Sequence, residues 1–409
     1  MDEKKIFLVD RDKEFLYVEL FQYLNKINCL PRYIYSKDIN TIFYNIVGSL
    51  IYDIPIVLLD SDFSHNEIQN LGISLTKIDE NIELKNKILV NYENFLSLLQ
   101  NTKEWNITLF TSGTTGLPKK VSHSFETLTR MVKINISTKD NIWGFAYNPS
   151  HIAGLQVFFQ AILNLNTIVN LFEQSRSHIF DMIEKYSVTN ISATPTFFRL
   201  LLPSKKHFNS VVKITSGGEK FDTTLINHLR TTFPQAKLLN VYASTEAGTI
   251  FGSKNDVFEI REDIKDKVKI INNELLIHKE LLGHSDSLKV VDGWYFTGDI
   301  VEVISNNPLK FKFVSRKNEM INVGGYKVNP IEIEELLNKH PNIVMSRVYS
   351  KKNSVLGNIL LADIQRVNDI TEKDIQMYLR KYLQEFKIPR IINFVEKIEL
   401  TRTGKIKRA

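Results

Sequence analysis

Residues 110–124, Phe-Thr-Ser-Gly-Thr-Thr-Gly-Leu-Pro-Lys-Lys-Val-Ser-His-Ser, hold the densest set of groups able to bind an anion. Thr111, Ser112, Gly113, Thr114, Thr115 and Gly116 are all small or hydroxylated, and they lie between the apolar run Ile107 to Phe110 and Pro118-Lys119-Lys120. Glycines let neighbouring backbone N–H groups turn into one concavity, and hydroxyls add donors; together they suit a polyphosphate. Lys119 adds a compact positive charge for a phosphate oxygen. The spacing excludes a P-loop, which needs Gly, four residues, then Gly-Lys-Ser/Thr; here only two residues separate Gly113 from Gly116. A plain Gly/Thr turn between two strands is the competing reading of this segment by itself.

Further segments with chemical potential follow in order. Pro149-Ser-His-Ile-Ala-Gly154 is a turn leading into an apolar helix, and Ser216-Gly-Gly-Glu219 and Tyr242-Ala-Ser-Thr-Glu246 each end an apolar strand. Trp294-Tyr-Phe-Thr-Gly-Asp299, Arg316 and Asn322-Val-Gly-Gly-Tyr-Lys-Val-Asn-Pro330 come next, and the chain closes on Thr401-Arg-Thr-Gly-Lys-Ile-Lys-Arg408. Each has a bland reading. Gly-Asp is a common turn, a Tyr at a strand end is often core, a lone His beside an apolar helix is often structural, and a basic terminus is often solvated.

The elements that must carry these groups read as α/β. Residues 5–9 form a strand, Glu14 to Ile27 and Ile39 to Leu50 have helical spacing, and Ile54 to Leu59 is a buried strand ending at Asp60. Helices are expected at Phe125 to Asn135 (Ser124 as N-cap), Phe158 to Leu165 and Ile179 to Tyr186. Val188 to Ala193, Val211 to Thr215 and Lys237 to Val241 read as buried strands whose ends gather Pro, Gly, Ser and Thr, where ligand sites of open α/β sheets form. From Glu274 to Val314 the pattern alternates as in hairpins. The stretch from Lys317 reads as a small α+β module, with helices at Pro330 to Lys339 and Glu372 to Gln384 and strands at Val344 to Tyr349 and Ile359 to Ile364. The expected fold class is therefore α/β: a large, layered, multi-sheet N-terminal part with a small β-rich subdomain, and a small α+β C-terminal domain.

Bulk properties narrow the function. A chain of 409 residues exceeds one ordinary core, and 43% hydrophobic with 24% charged content is normal for a globular protein. The net charge of +6 is spread over scattered lysines, which favours a small anionic substrate and argues against nucleic acid. The single cysteine, Cys29, permits no internal disulfide, fits the cytoplasm, and reads as a small core residue. The start of the sequence has no signal-peptide pattern. The most apolar stretch, His151 to Phe172, is broken by Gln156, Gln160, Asn164, Asn166 and Asn170, so no membrane span is expected.

Taken in order, the motifs between residues 110 and 408 resemble the adenylate-forming superfamily: acyl- and aryl-CoA synthetases, peptide-synthetase adenylation domains and beetle luciferases. The resemblance implies a two-step reaction, in which a carboxylate attacks the α-phosphate of ATP with loss of pyrophosphate and a thiol then displaces AMP. It implies ATP, Mg²⁺ and coenzyme A as cofactors, and an acid substrate. Lys405 is then the catalytic lysine of the first step, Glu246 the Mg²⁺ ligand, and Thr245 a hydrogen-bond donor to the α-phosphate. Thr111 to Gly116 and Lys119 hold phosphates; Gly217, Gly218 and Tyr242 line the purine, and Glu219 belongs to the nucleotide-binding set; Asp299 takes the ribose hydroxyls with Arg316 in support. His151 borders the carboxylate or the pantetheine tunnel, and Gly324 and Gly325 let the pantetheine arm pass. Residues 1–316 become the adenylation domain, shortened at its start, and 317–409 a mobile cap that rotates between the steps.

Four positions depart from the family pattern: Lys120 for Gly, Ala243 for Gly on the acyl-pocket floor, Asn318 at the hinge, and Glu399 for Pro. The reading is an ATP-dependent carboxylate–CoA ligase. Its alternatives are an enzyme loading an acyl or peptidyl carrier protein and a non-catalytic nucleotide-binding relic. Phe197, Phe198 and the apolar face of Ile152 to Phe159 suggest an apolar acyl or aryl group, although packed core gives the same pattern.

Overall fold

The computed structural model describes residues 4–111, 119–219, 221, 223–323, 326–353, 357–401 and 405–407. Its largest sheet has eight strands in the order Gly248–Ser253, Lys237–Ser244, Lys213–Gly217, Asn190–Ala193, Ile142–Phe145, Thr167–Asn170, Ile6–Asp10, Lys13–Leu16. The inner strands run parallel, and an antiparallel strand closes each edge. The inner strands are rich in Val, Ile and Leu because helices cover them. On one side Ile39–Ile51 and Ile152–Ile162 meet through Phe43 stacked on Phe158, with ring centroids 4.3 Å apart.

A four-stranded sheet is formed by Tyr33–Ile34, Ile56–Leu58, Asn106–Thr111 and Lys119–Ser124, and its last two strands, an antiparallel pair, flank the segment expected to bind an anion. A third, β-rich sheet is built around Trp294–Asn306 and Leu309–Arg316. The C-terminal module has its own core, in which Ile343–Asn353, Gly357–Arg366 and Ile391–Phe394 pack on Pro330–Asn338 and Glu372–Arg380. The architecture is thus mixed α/β, with a large multi-sheet N-terminal part and a small C-terminal one.

Several boundaries differ from the sequence reading for local reasons. The first expected helix starts only at Tyr17, because Arg11 adopts φ 54° and folds Lys13–Leu16 back as a hairpin on Ile6–Asp10. The helix expected to Asn135 stops at Thr129: the side chains of Gln160 and Asn164 take the backbone groups of Lys133 into hydrogen bonds of 3.0–3.1 Å. The strand expected to end at Val241 continues to Ser244, paired with Gly248–Ser253. Cys29 is exposed rather than core, because it lies on a short strand paired only with Asn81–Glu83. The helices Pro195–Leu201 and Thr223–Thr232 and the strand Ile391–Phe394 were not read from the sequence.

Candidate active site

The site is built at the carboxyl ends of the parallel strands, where Gly217 and Ser244 end two neighbours. Asp299 and Arg316 are paired across the adjacent β-rich sheet. The Arg316 Nε donates to Asp299 Oδ1 at 2.8 Å, and the Tyr242 hydroxyl donates to Oδ2 at 2.6 Å. Asp299 is only 4% exposed, so both donors offset the cost of burying its charge. Burial and the neighbouring Asp299 carboxylate hold the Tyr242 hydroxyl well above its usual pKa. Burial opposes the Arg316 charge, but Asp299 and Tyr242 outweigh it and raise that group. The Tyr242 ring stacks on Phe313 at 4.5 Å, so its packing partner is the β-rich sheet and its hydroxyl serves Asp299.

The turn carrying Thr245 and Glu246 is held from outside by its carbonyls. His123 Nε2 lies 2.7 Å from the Thr245 oxygen, and Gly283 N–H donates to the Glu246 oxygen at 2.7 Å. A proton must sit on Nε2 to meet a carbonyl; Nδ1 has no partner among the described residues. The ring is fully buried, and burial, partly opposed by the Thr245 contact, lowers its pKa to about 4. Gly283 must lack a Cβ here, since one would sit 2.6 Å from His123 Cε1. The Glu246 carboxylate makes no hydrogen bond or ion pair to a described residue and stays available to a ligand.

Lys405 comes from the far end of the chain. A Cβ on Gly218, which has φ +82°, would lie 2.8 Å from Lys405 Cε and 3.1 Å from Nζ. A side chain at residue 218 would thus be strained and would displace the lysine. Burial and then Arg316 lower the Lys405 pKa, while Glu219, Glu319 and Asp299 oppose them. Two cations beside one surface, with the ammonium disfavoured, suit an anionic ligand such as a phosphate.

Glu219 was expected among the nucleotide-binding residues. Its Oε2 accepts from Thr196 N–H at 3.0 Å and Thr196 Oγ at 2.7 Å, and its Oε1 accepts from Ile406 N–H at 3.1 Å. Gly217 packs on the Val241 backbone of the neighbouring strand. His151 occupies the N-cap position of the helix Ile152–Ile162 without a side-chain capping bond, and its Nε2 lies 3.2 Å from Asp60 Oδ2. Asp60 is 3% exposed and sits just beyond the strand Ile56–Leu58. Thr111 ends one strand of the hairpin opposite Lys119, which opens the other. Ser112, Gly113, Thr114, Thr115, Gly116, Gly324 and Gly325 lie outside the described residues. The structure therefore gathers Gly218, Asp299, Arg316, Tyr242 and Lys405.

Sequence reading missed His123, Gly283, Asp60 and Thr196. Only His123 carried a signal: it takes an inward position, buried between half-buried Ser122 and exposed Ser124, on a strand leaving the phosphate-type loop.

Residues 82–272 match the family described as AMP-binding enzyme, and residues 332–405 match the AMP-binding enzyme C-terminal domain. A 4-coumarate-CoA ligase from Narcissus pseudonarcissus is 27% identical over 346 residues, covering 73% of this chain and 62% of that protein. A 2-succinylbenzoate–CoA ligase from Listeria monocytogenes is 24% identical, covering 73% and 68% respectively. The chain thus spans less than two thirds of the Narcissus protein's length. Among solved structures, o-succinylbenzoate CoA synthetase from Bacillus subtilis with AMP superposes with TM-score 0.75 at 19% identity, over 98% of this chain and 94% of that one. ATP-bound MatB from Rhodopseudomonas palustris gives TM-score 0.75 at 16% identity, over 99% and 94%. These structural likenesses establish the fold. No helix among the described residues is long and apolar enough to cross a membrane.

Proposed function

The chain belongs to the AMP-binding enzyme family, and from that premise we propose that it is an ATP-dependent carboxylate–CoA ligase working through an acyl-adenylate. The observation that carries the proposal is the packing of Lys405 on Gly218, beside the Asp299–Arg316 pair and 187 residues away in sequence from the loop it meets. A relic that only binds nucleotide has no use for a half-buried lysine delivered from the far end of the chain.

In the first step a substrate carboxylate oxygen forms a bond to the α-phosphorus, and the bond to pyrophosphate breaks, its electron pair leaving with pyrophosphate. In the second, a thiol sulfur attacks the acyl carbon, its proton is released, and AMP departs with the electron pair of the broken C–O bond. The main obstacle in step one is repulsion between carboxylate and triphosphate. Lys405 bridges the two anions, and Arg316 adds positive charge nearby. The Asp299 oxygens each keep acceptor capacity after Tyr242 and Arg316 are served, and they take the ribose hydroxyls. Glu246, free of described partners, would hold Mg²⁺, which when bound neutralises phosphate charge. Thr245 donates to the α-phosphate, while Lys119 and the segment from Thr111 to Gly116 hold the outer phosphates. Asp60 fixes the ring of His151 at the border of the acyl carboxylate or pantetheine passage.

We assign residues 1–316 to the adenylation domain and 317–409 to a cap that rotates between steps, bringing the Gly324–Gly325 segment to the thiol. Coenzyme A is the favoured acceptor because the relatives are named as CoA ligases. A cytoplasmic setting belongs to the same proposal.

The test is pyrophosphate release with ATP and Mg²⁺ across aryl, short-chain and long-chain acids, with and without coenzyme A. Turnover requiring both acid and coenzyme A supports the reading. Acid-dependent adenylation that never consumes coenzyme A moves the acceptor to a carrier protein, and nucleotide binding without turnover on any acid overturns the ligase.

A further inference from the structure

The two residues after Lys405 are tied to different parts of the molecule. Ile406 N–H is held by Glu219 Oε1 at 3.1 Å, on the loop that follows the strand Lys213–Gly217. The carbonyl of Lys407 is held by Arg347 Nη1 at 2.9 Å, in the C-terminal module. Arg347 is itself fixed by an ion pair with Asp363, which also accepts from Tyr349 and Asn393. The tail is a small hairpin, closed by Thr401 N–H on the Lys405 carbonyl at 2.6 Å and Lys407 N–H on the Glu399 carbonyl at 3.0 Å.

Among the described residues, Glu219 alone reaches from the large part to the backbone of residues 405–407 by a hydrogen bond. Its other oxygen is anchored twice by Thr196, which is buried and whose N–H is one of the first-turn donors that no intrahelical carbonyl can serve. A carboxylate is acceptor-only, so it can serve Thr196 and Ile406 together; a carboxamide cannot, because its NH₂ must face one of two donors.

We propose that Glu219 is a positioning residue, a latch that selects the arrangement with Lys405 at the nucleotide surface and must release Ile406 before the cap rotates for thioester formation. The inference rests on the two-step reading above. It gives Glu219 a role toward the tail. The latch is a single hydrogen bond to a neutral N–H, strong enough to bias the lysine-in state and weak enough to open on each turnover. Its charge also keeps a counter-ion beside Lys405 while the ligand is absent.

The experiment is Glu219→Gln, read in two ways. Hydrogen–deuterium exchange on the ligand-free protein follows peptides covering 399–407 and 190–201. The expected result is faster exchange in the C-terminal peptide, with little change in the second. Where an acid has been identified, ATP–pyrophosphate exchange should fall about tenfold. Thioester formation from supplied acyl-adenylate and coenzyme A should stay within about twofold, because that step does not need the latch closed. Unchanged exchange in the tail peptide, or an equal fall in both half-reactions, overturns the latch. Thr196→Val, which removes only the hydroxyl donor behind Glu219, should loosen the same peptide to a lesser degree. It decides the question if Glu219→Gln does not fold. A wild-type protein that adenylates no acid, with a tail still loosened by Glu219→Gln, would overturn the ligase and with it the release step, leaving only the hold of Glu219 on the tail.

Discussion

Asp299 and Glu219 are both carboxylates at the mouth of the large sheet, yet they are held in opposite ways. Asp299 is buried, and its pairing with Arg316 is written into strand register. Tyr242 is placed by another sheet and locked by stacking on Phe313. Glu219 sits on a loop and reaches a backbone N–H 187 positions away. The first arrangement is redundant, since removing one donor leaves the other. The second hangs on one reversible bond. A nucleotide subsite gains from rigidity, because preorganised groups need no rearrangement as charge develops. A group that must arrive and leave gains from a contact that opens cheaply.

The largest effect should come from removing the mobile side. Lys405→Ala should lose adenylation by about 10²–10³-fold, as deletion of a charge-stabilising group does. Thioester formation from supplied acyl-adenylate should survive, and thermal stability should barely move. Single-turnover assays of each half-reaction check this; equal losses in both would erase the distinction between the fixed and the moving side.

His123 probes the fixed side through pH. Its folded pKa of about 4 lies below the ordinary histidine value near 6.5, so the unfolded chain binds more protons between those values. The stability it contributes is complete above pH 6.5 and is lost as pH falls toward 4, by roughly 3 kcal/mol in all. His123→Gln keeps a donor toward the Thr245 carbonyl but cannot titrate. Urea melts from pH 7 to 4 should show a shallower acid loss for the variant; parallel curves would refute the buried neutral ring.

Asp299→Asn should cost about 1.5–3 kcal/mol by weakening a charge-assisted contact to Arg316. Unlike Lys405→Ala, it should lower both the melting temperature and the affinity for ATP, measured by calorimetry. A variant that loses only kcat would place Asp299 on the moving side.

Gly218→Ala joins the two regions. The positive φ disfavours any side chain by about 1–2 kcal/mol, and the new methyl would push on Lys405. Adenylation should fall more than thioester formation. Equal falls would mean that Lys405 does not depend on that glycine surface.

The motif residues themselves were legible in the sequence, because chemistry constrains residue type and order. Gly218, Asp299, Arg316 and Lys405 were all named from the chain, and the alternation of Leu309–Arg316 and the helix Pro330–Asn338 follow from local pattern. Contacts between distant segments were not legible. The helix after Ser124 looked long by periodicity, but the amide side chains of Gln160, on another helix, and Asn164, just past its end, hold the chain beyond it. Cys29 looked like core by type, while its strand lies paired with a short, largely exposed one. Nothing in Thr196 or Gly283 marked them, because their importance lies in what packs against them.

The sequence by itself therefore determined which groups exist: a Gly/Thr anion loop, two strand-end turns, a Gly-Asp and a lysine near the end of the chain. Tertiary structure decided which of them meet. Register across the β-rich sheet set Arg316 on Asp299, sheet closure set His123 behind Thr245, and the docking of the tail set Lys405 on Gly218. The physical reason is that local periodicity specifies which faces are buried, whereas a long-range contact depends on loop closure and side-chain packing that no local window contains.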